Sequence, residues 1–120
     1  MGRYPRNTAP ALERISSPLV GVLNVISARW GPLVLHGLAD DHVRFNDLQR
    51  HLTGVSHKVL IETLRMLQRE GFVARMAITG RKRNQDVAEY RLTEAGAELL
   101  EWIDDVRRWA ERRVGADDRE

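Results

Sequence analysis

Residues 44–72, RFNDLQRHLTGVSHKVLIETLRMLQREGF, decide the fold. Apolar residues recur at helical spacing on both sides of Gly54, a residue type that readily adopts a positive φ. The segment before it, Arg44–Leu52, is predicted to form a short helix with Phe45 and Leu48 on one face. The stretch is therefore typical of two helices joined by a tight turn.

The second of these helices is predicted to run from His57 to Glu70. Ser56 is a good N-cap, and Gly71 fits the position just after a helix end. One side of this helix carries a leucine spine and must be the buried side. The spine consists of Leu60, Leu64 and Leu67. A short helix, a glycine-containing turn and a second helix together predict a helix-turn-helix motif.

The opposite side of the second helix is polar and mainly basic, which suits entry into the major groove of DNA. Its candidate DNA-contacting residues are His57, Lys58, Ile61, Glu62, Arg65 and Arg69. Lys58 or Arg65 can read guanine O6 and N7, Glu62 can accept from cytosine N4, and Ile61 can touch a thymine methyl group. An ordinary amphipathic surface helix has the same pattern, so this helix does not decide the function by itself.

A basic hairpin follows the second helix. Alternating apolar residues between positions 72 and 78 and between 87 and 92 predict a two-stranded β-hairpin, or wing. Its polar turn carries Arg81, Lys82 and Arg83, which suit phosphate or minor-groove contact better than core packing. Residues 56–91 hold eight Lys/Arg and four Asp/Glu, whereas residues 92–120 hold five and nine. A basic helix next to a basic wing is a stronger DNA-binding signal than either element alone.

Two further helices are predicted before the motif. Pro18 suits the first helical position, with Ser17 as its N-cap, and Gly31-Pro32 is expected to break this first helix. A second apolar helix follows and is expected to end near Asp40. Met1–Ser16 is predicted to be an irregular arm because prolines and small polar residues punctuate it.

A long helix capped by Thr93 is predicted at the carboxyl end. It carries an apolar stripe made of Leu99, Trp102, Ile103, Val106, Trp109 and Ala110. The stripe is longer than a small core can cover, so a second copy of the chain is its expected partner. Leu12 and Ile15 of the arm are predicted to extend this dimer interface. The alternative is a monomer in which the stripe of the last helix folds back on the first helix of the same chain.

Taken together, these segments resemble the HxlR-type branch of the winged-helix regulators, related in fold to MarR proteins. The matching residues are 26–30 (ISARW), 44–48 (RFNDL), 54–56 (GVS), 70–73 (EGFV) and 89–96 (EYRLTEAG), together with Leu60, Leu64 and Leu67. The resemblance implies a mainly α winged helix-turn-helix fold (α+β) with N- and C-terminal dimerisation helices. It also implies dimeric regulators that bind palindromic operators. The domain organisation expected is an arm over 1–16, an HxlR-type domain over 17–114 and a polar tail over 115–120.

The sequence also excludes several kinds of site. Many members of the family sense oxidants through a cysteine just before the proline of the first helix, but here that residue is Ser17 and the chain has no cysteine. The four histidines form no i, i+4 pair, so no metal site is predicted. The chain has neither a phosphate-binding glycine loop nor a nucleophile elbow, so neither an enzyme nor a cofactor is predicted.

The sequence has no apolar run of about 18 residues, so no membrane span is predicted and the cytoplasm is the expected location. Two function hypotheses remain. The first is an operator-binding regulator on double-stranded DNA, with a small-molecule effector in an apolar cleft beside the tryptophans as a further hypothesis. The alternative is a non-enzymatic module whose winged helix binds protein.

Overall fold

The computed structural model describes residues 19–79 and 86–118, which form five helices and three strands. The elements are α1 (Leu19–Ser27), α2 (Gly31–Gly37), β1 (Val43–Arg44), α3 (Phe45–His51), α4 (His57–Arg69), β2 (Val73–Thr79), β3 (Asp86–Leu92) and α5 (Glu94–Asp118). The mainly helical winged helix-turn-helix architecture predicted from the sequence is confirmed. The proposed arm, the Ser17 cap and Pro18 lie outside the described residues.

The sheet has three strands where the sequence predicted two. β1 pairs with β3 through Val43 and Tyr90, and β3 pairs with β2 along its length, so the antiparallel order is β1-β3-β2. β1 is only two residues long, which is too short for any alternating pattern to predict it. Because α3 begins directly after β1, this pairing fixes the start of α3 against the base of the hairpin.

The break between α1 and α2 lies earlier than the sequence indicated. α1 ends at Ser27, and Gly31-Pro32 form the first turn of α2, bent by 85° from α1. The prediction that Gly31-Pro32 break the first helix was therefore wrong. Proline is tolerated in a first turn because the amide hydrogen it lacks has no partner there. α2 also ends at Gly37, before the predicted end near Asp40.

Both predicted ends of α4 are confirmed by backbone geometry. The Ser56 hydroxyl accepts a hydrogen bond from the Val59 amide at 3.1 Å. At the other end Gly71 has φ 84°, and the amides of Gly71 and Phe72 donate to the carbonyls of Gln68 and Leu67. This bonding pattern is a Schellman motif, which requires a left-handed residue at the position of Gly71.

The core lies between α4, α2 and the sheet. The predicted leucine spine of α4 is confirmed, because Leu60, Leu64 and Leu67 are all at most 1% exposed. They belong to a cluster with Val25, Val34, Leu35, Leu38, Leu48, Tyr90 and Leu99. Trp30, which lies between α1 and α2, is partly buried against this cluster. No single described helix is long and apolar enough to cross a membrane, although the bent pair α1 and α2 passes that test together.

The start of α5 is locked to the end of α4. The Thr93 hydroxyl accepts from the Gly96 amide at 3.0 Å, which confirms the predicted cap, and it donates to the Gly71 carbonyl at 2.6 Å. The Phe72 carbonyl accepts from the Thr93 amide, and a β-carbon on Gly96 would overlap that same carbonyl group. Glycine at position 96 therefore permits a close backbone approach.

We predict that Gly96→Ala lowers the free energy of unfolding by about 1–3 kcal/mol, because the backbone at Phe72 must shift to admit the methyl group. Gly115→Ala is the matched control, since it lies on the same helix with no atom within 4 Å of the added methyl group. It should raise stability by about 0.5 kcal/mol through helix propensity. Urea unfolding at one fixed protein concentration measures both. Equal effects of the two variants would contradict the proposed close approach.

Candidate nucleic-acid interface

The outer face of α4 is an exposed ridge of charged side chains. Lys58, Glu62, Arg65 and Arg69 lie opposite the leucine spine, and His57 lies on one flank in the first turn. His57 and these four residues are all exposed. Among the described residues, none of these five takes part in an ion pair. Ile61 is half-buried on one flank of the ridge. The structure therefore brings together on one helix face the six residues that the sequence singled out.

The first turn of α4 packs against α3. The His57 ring packs edge-on against Phe45, with ring centroids 4.8 Å apart. The turn between the helices contains Gly54 at φ 96°, so the predicted left-handed turn residue is confirmed. The Gln49 side-chain amide donates to the Val55 carbonyl at 3.5 Å. These contacts fix the orientation of the α4 ridge relative to the rest of the motif.

An open depression of about 590 Å³ lies beside the first turn of α4, lined by Asn46, Gln49, Arg50 and Val55. No sequence pattern pointed to this surface. Arg50 forms an ion pair with Asp47 one turn earlier on α3, and both side chains are at least half exposed. The depression is shallow and half polar, so it does not have the enclosed apolar form expected of a small-molecule pocket.

The hairpin strands lead to the basic turn predicted as the wing tip. β2 and β3 pair as far as Thr79 and Asp86, and Arg75 and Arg91 are exposed along them. Arg81, Lys82 and Arg83 lie outside the described residues, so their contacts with DNA remain a prediction.

The apolar stripe of α5 divides into two parts. Leu99 is 7% exposed and belongs to the core of the single chain, together with Leu100, to which the sequence pattern gave no role. The interpretation of Leu99 as a dimer contact is therefore corrected, because packing against its own core leaves it no surface to offer. Ile103 is also partly buried against that core. Trp102, Val106 and Trp109 remain 52%, 41% and 54% exposed.

The buried side of α5 also carries an interhelical polar contact. The Asp104 carboxylate lies 2.9 Å from His36 Nε2 of α2, and Arg107 Nε lies 3.8 Å from the same oxygen. This contact joins α5 to α2 beside the apolar packing of Leu99, Leu100 and Ile103 on the core, which places Trp102 and Trp109 outward. Within the described ranges, no group of three His, Asp or Glu side chains could hold a metal ion.

Comparison with known proteins agrees with this architecture. Residues 25–118 match the family model described as HxlR-like helix-turn-helix, and the chain belongs to this family. The protein is thus a transcriptional regulator with a helix-turn-helix DNA-binding domain. It is 36% identical over 90 residues to the HTH-type transcriptional regulator YtfH of Escherichia coli, covering 75% of this chain and 69% of that protein.

Two solved structures extend the comparison. The transcriptional regulator ytfH from Salmonella typhimurium matches with a TM-score of 0.68 and 32% identity, covering 86% of this chain and 92% of that one. The redox regulator HypR in its oxidised form matches with a TM-score of 0.66 and 27% identity, covering 79% and 95%. The sequence of the present chain contains no cysteine, so it offers no thiol that could form such a disulfide.

Proposed function

We propose that the protein is a sequence-specific regulator that binds a palindromic operator as a homodimer, with α4 in the major groove. The observation that carries this proposal is the exposed ridge of Lys58, Glu62, Arg65 and Arg69 on a helix whose first turn is fixed to α3. Charged donors and acceptors on a rigid helix can read base edges, whereas a mobile surface helix could not fix their register. The cytoplasm is the compartment in which this function would operate.

The alternative function is a winged-helix module that binds protein, and the decisive experiment is a salt titration. The affinity for the operator selected from a random DNA library is measured between 50 and 200 mM salt. Binding to phosphates releases counterions, so the logarithm of affinity falls linearly with the logarithm of salt concentration. Failure to select any DNA sequence would favour the protein-binding module.

The wing makes a sequence-independent contribution in this proposal. We predict that replacing Arg81, Lys82 and Arg83 by alanine weakens binding to operator and random DNA alike. The log–log salt slope should become shallower by about one unit for each phosphate that the wing no longer neutralises. Replacing Arg108 and Arg112, which are exposed on the side of α5 that faces away from the core, removes positive charge elsewhere and is the control. An unchanged slope in the wing variant would mean that the tip points away from DNA.

The homodimer is proposed to form through the exposed part of the α5 stripe, Trp102, Val106, Trp109 and Ala110, continued by Leu12 and Ile15 of the arm. The half-exposure of the two tryptophans in a single chain supports it and argues against the fold-back monomer. A small-molecule effector, if the regulator uses one, is proposed to bind in an apolar cleft near the dimer interface, where the tryptophans would line it.

A further inference from the structure

A second apolar side chain lies on the flank of the α4 ridge opposite Ile61. Val59 is 36% exposed and does not belong to the core cluster, although its neighbour Leu60 is fully buried. At 100° per residue, Val59 and Ile61 fall on opposite sides of the ridge formed by Lys58 and Glu62. The sequence pattern assigned Val59 no role, because a valine beside the leucine spine resembles another core residue.

The position of Val59 is fixed by hydrogen bonds at both ends of its backbone. Its amide donates to the Ser56 hydroxyl at 3.1 Å, and its carbonyl accepts from the Thr63 hydroxyl at 2.8 Å. A β-branched side chain in a helix has one strongly preferred rotamer, so its two methyl groups hold one direction. Contact with a ligand at this position therefore costs little side-chain entropy.

We propose that Val59 is a specificity-determining residue that contacts the C5-methyl group of a thymine. Thymine methyl groups are the apolar groups displayed by base pairs in the major groove, so they are the chemical partner that this side chain fits. The first turn of a recognition helix is also the part that approaches base edges most closely. This inference rests on the proposed function, and it predicts two thymine contacts in each half-site, one on each side of the pairs read by Lys58 and Glu62.

The test removes thymine methyl groups one at a time. Each thymine of the selected operator is replaced by deoxyuridine, which differs only by the missing methyl group. We expect wild-type affinity to fall about fourfold at each of two positions per half-site, the value for one buried methyl group. Val59→Ala should abolish the effect at one of these positions, and Ile61→Ala should abolish it at the other.

Val59→Thr is a second variant that keeps the shape of the side chain and the β-branch, and it should give a smaller deoxyuridine effect at the Val59 position. Circular dichroism checks that each variant is folded, which is expected because alanine favours helix more than valine does. Specific binding with equal deoxyuridine effects in wild type and Val59→Ala would overturn the inference and leave the proposed function intact. Failure of the wild type to select any DNA would reject both.

Discussion

Replacing Lys58, Ile61, Glu62 and Arg65 together by alanine is expected to lower operator affinity by about a thousandfold or more, toward the affinity for random DNA. Removing a base-reading side chain costs about 1–3 kcal/mol, and a dimer bears that cost in both half-sites. Specific binding generally exceeds non-specific binding by at least about a thousandfold, so the change can remove nearly all selectivity. Fluorescence anisotropy with operator and scrambled DNA measures both affinities.

The fold should survive this change, since the three charged residues are exposed and alanine is a good helix former. The matched control replaces Glu101, Arg108 and Arg112, which are exposed on the side of α5 that faces away from the core. That variant should bind operator within about twofold of wild type. If the α4 variant keeps full operator affinity, α4 is not the reading helix.

Local sequence signals predicted the helix-turn-helix because its determinants lie within a few residues of one another. Ser56 caps the helix that follows it. Gly54 and Gly71 adopt positive φ angles at the turn before the helix and just after its end. The spacing of the leucines identifies the buried side of the helix. Each of these features depends on the backbone of its immediate neighbours, so one sequence suffices to predict it.

The remaining features depend on packing between distant segments. β1 exists because Val43 and Arg44 meet β3, a partner that no local pattern of two residues can indicate. The outward side of α5 follows from its packing on α2, where Asp104 meets His36, so periodicity alone did not separate Leu99 from Trp102. Val59 was missed because a valine beside the leucine spine resembles a core residue in the sequence, and only the folded structure shows that it is 36% exposed and outside the core cluster.

The α5 tryptophans give the second large expected effect. Trp102 and Trp109 lie seven residues apart on one side of the helix, and each is more than half exposed in the single chain. Tryptophans at the centre of an interface commonly contribute about 2 kcal/mol or more each. In a two-fold dimer every substitution occurs twice, so its effect on the dimer is doubled.

The double variant Trp102→Ala/Trp109→Ala removes four tryptophans from each dimer, or about 8 kcal/mol at about 2 kcal/mol each, so we expect it to raise the dimer dissociation constant by well over a thousandfold. Sedimentation velocity at micromolar concentration should show wild-type dimers and variant monomers. Trp102→Phe/Trp109→Phe keeps much of the apolar contact and should stay dimeric. A double-alanine variant as dimeric as wild type would reject α5 as the main interface.

Dimer loss should also appear in DNA binding, because a dimer places two α4 helices about 34–36 Å apart, or a multiple of that distance, on one side of the duplex. The double-alanine variant retains an intact α4, so it should bind an isolated half-site as wild type does while losing the advantage for the full palindrome. In a Trp30→Phe background the two α5 tryptophans alone report the interface, and their emission should shift to longer wavelength as dilution exposes them to water. If the double-alanine variant loses affinity for the isolated half-site as much as for the full palindrome, the dimer proposal fails. The tryptophans would then maintain the fold of each subunit and would not hold the two α4 helices of a dimer together.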